Sequence, residues 1–162
     1  MQNFLTRRLF LSLIAASAVM FGATTAMAAD PEETGKQVYQ VYVDTMAQTN
    51  AALAGSPEVT AELGAEIDAI KEAGVTKLVA LGKEIAAMSE ADRETVERIV
   101  RLGAYEPEAK AVYADYQGVW KAYVGGDQDF FKKIQSLNIL TQYAFFDLLR
   151  KQAPDEADRL GV

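Results

Sequence analysis

The chain contains no cysteine and no histidine. The first absence rules out disulfides, thiolate nucleophiles and cysteine-ligated metal or haem. The second removes imidazole bases, nucleophile–histidine pairs and histidine-bound zinc or iron. A di-iron carboxylate bundle needs Glu-x-x-His on paired helices, so that pattern cannot be met either. Only four of the 162 residues are proline, which leaves room for long helices. No aromatic residue falls between Val43 and Ala104, so the aromatics are confined to the two ends of the chain.

The first 28 residues read as an address, not as part of a fold. A basic start with Arg7 and Arg8 leads into a mostly apolar stretch over residues 9–23. A small-x-small site follows at Ala26 and Ala28, which places cleavage after Ala28. The apolar stretch is 15 residues long and a span needs ~20, so it is expected to be removed and not to anchor. The run Thr6-Arg7-Arg8-Leu9-Phe10-Leu11-Ser12 resembles the twin-arginine export signal, Ser/Thr-Arg-Arg-x-Phe-Leu-Lys, with Ser12 in place of the terminal lysine. That resemblance implies export in the folded state. An ordinary Sec signal is the alternative, and either route implies the periplasm of a Gram-negative bacterium.

One domain, residues 29–162, is expected after cleavage. The leader carries two of the 16 basic residues and none of the 23 acidic ones, so the mature chain has a net charge of −9. Such a balance argues against nucleic acid and anionic membranes. No later segment is apolar enough to span a membrane.

Helical periodicity dominates and nothing reads as a hairpin. The expected fold is all-α, an antiparallel four- to five-helix bundle. A first helix over 32–53 places Val38, Val41, Tyr42, Thr45, Met46, Thr49 and Leu53 on one face. Ser56 is a candidate cap for a second helix over 58–88, whose stripe keeps phase across Gly74; a break there is the alternative. Ser89, with Asp92 three residues on, opens a short third helix that stops at Gly103. Glu106-Pro107-Glu108 opens the fourth, Gly125-Gly126 closes it, and Asp127 caps a fifth over 128–152. Pro154 should end that helix and leave a frayed tail over 155–162.

Candidate functional residues lie in the aromatic half. Tyr113, Tyr116, Trp120 and Tyr123 fall within one helical arc, which suits either a core face or an aromatic-lined cavity. The fifth helix is apolar nearly all round, with Ile139, Tyr143 and Phe146 off its main face; it should be central or covered by a partner. Asn138 and Gln142 interrupt its apolar run and need hydrogen-bond partners if buried. No metal or cofactor is implied. Met46 and Met88 read as core filler, and Asp127 and Asp129 as helix-capping carboxylates in a glycine turn, not a complete calcium loop. No catalytic motif is present. The leading expectation is a non-enzymatic module that binds a protein partner or self-assembles. The alternative is a small-molecule binder holding an apolar or aromatic ligand among Tyr39, Tyr42, Tyr113, Tyr116, Trp120, Tyr123 and the fifth helix.

Overall fold

A computed structural model describes residues 29–55, 58–124 and 126–162. The export signal at Arg7, Arg8, Phe10 and Leu11 and the cleavage site at Ala26 and Ala28 lie outside the described residues. So does Ser56.

The described residues form helices and no strand. Seven α-helices follow one another: α1 (Pro31–Gly55), α2 (Ala61–Ala86), α3 (Glu90–Gly103), α4 (Pro107–Trp120), α5 (Gln128–Gln135), α6 (Phe146–Gln152) and α7 (Pro154–Leu160). Short 3-10 segments lie at Lys121–Tyr123 and Ser136–Ala144.

Capping chemistry sets several of the starts. Asp30 Oδ1 accepts the Glu32 amide at 2.9 Å ahead of α1. Thr60, not Ser56, caps α2, its hydroxyl accepting Leu63 N–H at 3.1 Å. At α3, Ser89 Oγ accepts the Asp92 amide at 3.3 Å and donates to the Asp92 carboxylate at 2.7 Å. Asp127 Oδ1 takes the amides of Asp129 and Phe130 at 2.9 and 3.0 Å, so its charge offsets the positive end of α5. Helix α2 runs unbroken through Gly74. A Cβ there would lie 2.6 Å from Thr45 Oγ1, so glycine lets α1 and α2 cross closely.

Contacts between elements give four rods. Gly74 meets Thr45, Leu53 clusters with Leu63, and Val38 with Ile85, so α1 and α2 are antiparallel. Gly35 meets Ile99, Asn50 donates to Val112 O at 2.9 Å, and Tyr123 donates to Leu53 O at 2.8 Å. The α3–α4 rod therefore runs alongside α1 in the same direction. The fourth rod, α5 through the 3-10 segment to α6, returns along α2, with Lys133 on Gly64 O at 3.2 Å and Phe146 against Gly82. Finally α7 doubles back, and Arg159 bridges Glu72 and Glu156 at 3.1 and 2.9 Å.

Three expectations need correction. The central helix is α1, which packs on α2, α3 and α4, and not the helix expected over 128–152. Thr34, Thr45 and Thr49 are buried on α1. Two of them spend their hydroxyls on the preceding turn, Thr45 to Val41 O at 2.7 Å and Thr49 to Thr45 O at 2.9 Å. Their hydroxyls are thereby satisfied within α1, so a helix with a polar sequence can be surrounded.

The helix expected over 128–152 is instead broken. The nine residues from Ser136 to Ala144 wind as 3-10, and Phe145 leaves helical geometry at φ −124°, ψ 86°. The buried residues Ile134, Leu137, Leu140 and Tyr143 recur every third position. A 3.0-residue turn keeps such a row on one edge, whereas an α-helix would rotate it away. The tail is not frayed either: Pro154 occupies the first turn of α7, Ala157 is buried, and Gly161 closes the helix at φ 68°.

Candidate functional site: a groove between splayed rods

The third and fourth rods meet at one end of the bundle and part at the other. At the closed end, Tyr116 is buried and donates to Ile134 O at 2.9 Å. Burial, with neighbouring Tyr113 and Tyr42, pushes its phenol well above the usual range. Tyr123 packs on Phe130 with ring centroids 5.4 Å apart, and Trp120 on Phe131 at 5.3 Å. These rings close over a core of Met46, Leu53, Leu63, Ile67 and Leu137.

Toward the other end no hydrogen bond or ring contact joins α3 to the 3-10 segment or α6 among the described residues. An open groove of about 1190 Å³ lies between them. Tyr39 and Tyr42 of α1 belong to its lining. Val100, Ala104, Ala109 and Tyr113 come from the third rod, and Ile85 and Ala86 from the end of α2. Opposite stand Asn138, Thr141, Ala144, Phe145, Phe146 and Leu148. Gly82 seats Phe146: a Cβ there would lie 2.6 Å from its ring, so only glycine lets that wall pack so closely on α2.

Tyr105, Tyr113 and Leu148 line this groove while 67%, 43% and 38% exposed. They are three of the six large apolar side chains most exposed among the described residues. Charged residues of both signs surround them: Glu90, Arg93, Glu94, Glu97 and Arg101 on α3, Lys110 on α4, Asp147 and Arg150 on α6. Asp147 and Arg150 pair at 2.8 Å, and Lys110 Nζ sits 5.9 Å from the Tyr105 ring. The α3 charges and Lys110 make no ion pair among the described residues.

Of the residues expected to form a site, Tyr39, Tyr42, Tyr113, Asn138 and Phe146 line the groove. The rest do not. Tyr116 and Tyr123 are core, and Trp120 is half-buried among the closed-end rings. Tyr143 is fully buried and donates to Glu156 Oε2 at 2.7 Å. Burial, helped by that bond, raises its phenol, while Arg159 holds the Glu156 carboxyl below its usual range. Gln142 turns to Gln152 at 2.7 Å. Asn138 is exposed, so it is no buried amide in need of a partner. The Tyr39 hydroxyl is buried against the first turn of α4; it faces the Ala109 amide without closing a hydrogen bond. Desolvation, then Glu108, raises its pKa.

Sequence reasoning missed the charged wall of α3. Its residues read as an ordinary solvated face, and only the third dimension shows them bordering an apolar floor. No group of three or more carboxylates is placed to hold a metal ion among the described residues. Asp127 is occupied as a cap, and Asp129 pairs with Lys132 at 3.4 Å. No helix among the described residues is long and apolar enough to cross a membrane. No family model, curated protein or solved structure matches the chain.

Proposed function

We propose that the protein is a non-enzymatic binding module that engages another protein through the splayed groove. The single observation that supports this is the clustering of exposed Tyr105, Tyr113 and Leu148 in an open, charge-rimmed cleft. Tyrosines combining apolar bodies with polar tips are favoured at such surfaces. The volume exceeds the ~300–1,000 Å³ usual for small-molecule pockets. The leader sequence supports export to the periplasm as the setting, by the twin-arginine route. Replacing Arg7 and Arg8 with lysines should block export by that route; undiminished export would point to Sec.

Native mass spectrometry of the mature protein taken gently from its own cells tests the reading. A complex with a second polypeptide is expected. A stoichiometric small-molecule adduct on an otherwise lone chain would overturn it.

A further inference from the structure

The groove's charges are ordered along its length. Down α3 come Glu90, Glu94 and Glu97, at spacings of four and three, so they share one helix face. Arg101 and then Lys110 follow at the end near α4. Arg93 is the exception within the acidic part. On the facing wall Asp147 and Arg150 satisfy each other. Among the lining residues of the third rod the unmet charge therefore runs from mostly acidic to basic, with Glu106 and Glu108 beside Lys110 outside the lining. Between the walls lie small side chains, Ala86, Ala104 and Ala144, which let a backbone approach.

We propose that the groove receives an amphipathic helix of another protein, lying antiparallel to α3 as a fifth rod. Its basic C-terminal end would sit beside Glu90, Glu94 and Glu97, and its acidic N-terminal end beside Arg101 and Lys110. This rests on the interaction reading above and specifies the partner's chemistry. A helix ~10 Å across and ~15 Å long, about ten residues, has close to the groove's volume of about 1190 Å³. Helices favour acidic residues in their first turn and basic ones in their last, so the usual charge order fits the groove in one direction only. Helix-in-groove recognition of this kind takes anchors from one apolar face. A second copy of this chain is disfavoured, because two mature chains of net charge −9 repel.

The test uses the purified mature protein and two fluorescent peptides of about 15 residues, each held helical by the same side-chain staple. Both carry one leucine stripe. The forward peptide has glutamates in its first turn and lysines in its last; the reversed peptide exchanges them. Forward should bind about fivefold tighter at low salt, the gap narrowing as salt screens the charges. A triple variant, Glu90→Lys with Glu94→Lys and Glu97→Lys, should invert the preference. Ala104→Trp, which fills an exposed edge of the groove, should weaken both peptides. Equal binding of the two peptides, or no inversion by the triple variant, would overturn the proposal. If neither peptide binds while an apolar dye does, and Ala104→Trp expels the dye, the helix proposal fails and the groove survives as a binding site. If nothing binds the groove, both readings fail.

Discussion

The two ends of this bundle are built from the same four rods, yet they solve opposite problems. At the closed end, the Tyr116 hydroxyl reaches across to Ile134 O and rings meet rings, so the third and fourth rods become one packed layer. At the splayed end, Tyr105 and Tyr113 of the third rod stand exposed. Tyr113 and Tyr116 are three residues apart on α4, and their rings lie 6.2 Å from each other. One is exposed on the groove and the other is buried. Residue type therefore does not distinguish a core tyrosine from an exposed one here; the neighbour across the interface does.

The comparison breaks most readily at the closed end. Phe130→Ala removes a buried ring packed on Tyr123, and should cost about 3–5 kcal/mol in chemical denaturation. A cost below 1 kcal/mol would mean that the aromatic contacts do not hold the rods together. At the splayed end, Gly82→Ala drives a methyl group into the Phe146 ring. Overpacking of this sort costs about 1–3 kcal/mol, and should shift Phe146 ring signals in NMR spectra. Unshifted signals with full stability would place the wall looser than described.

Tyr116→Phe removes the buried hydroxyl's bond to Ile134 O and should cost about 1–2 kcal/mol, whereas Tyr113→Phe should change stability by less than 0.5 kcal/mol. Equal costs would erase the distinction between the two tyrosines. The smallest effect concerns pH. Burial raises the phenols of Tyr116 and Tyr143 above that of the unfolded chain, ~10. The stability this confers is fully present below pH ~10 and is lost as pH rises toward the folded-state values. Phenolate absorbance should therefore lag for Tyr39, Tyr42, Tyr116, Tyr123 and Tyr143, most for Tyr116 and Tyr143, and appear with unfolding.

Much of this architecture was legible in the residues themselves. Ser89, Pro107 and Asp127 mark helix ends through local chemistry that needs no partner, whereas Gly103 is the last helical residue of α3 and makes room for Tyr39, whose ring a Cβ there would meet at 2.7 Å. The central place of α1 was hidden, because a threonine whose hydroxyl folds back on its own helix reads as polar in sequence and behaves as apolar in the core. The break within the fourth rod had a signal, the three-residue spacing of Ile134, Leu137, Leu140 and Tyr143. Steps of three occur in α-helices too, and the buried pair Leu140 and Ala144 is a step of four, so the spacing alone does not announce 3-10 winding. Of the candidate residues singled out in the sequence, Tyr39, Tyr42, Tyr113, Asn138 and Phe146 are the ones that line the groove. The charged wall was not, since nothing local tells a solvated glutamate from one facing an empty groove.

Photocrosslinking in living cells tests the central claim most directly, that the splayed end and not the closed end meets the partner. A photoreactive amino acid would replace Tyr113 and Leu148 at the groove, and Val59 and Val124 as equally exposed positions outside its lining. The account predicts the same discrete protein adduct from the first pair and none from the second. An adduct from Val59 or Val124 alone would contradict it.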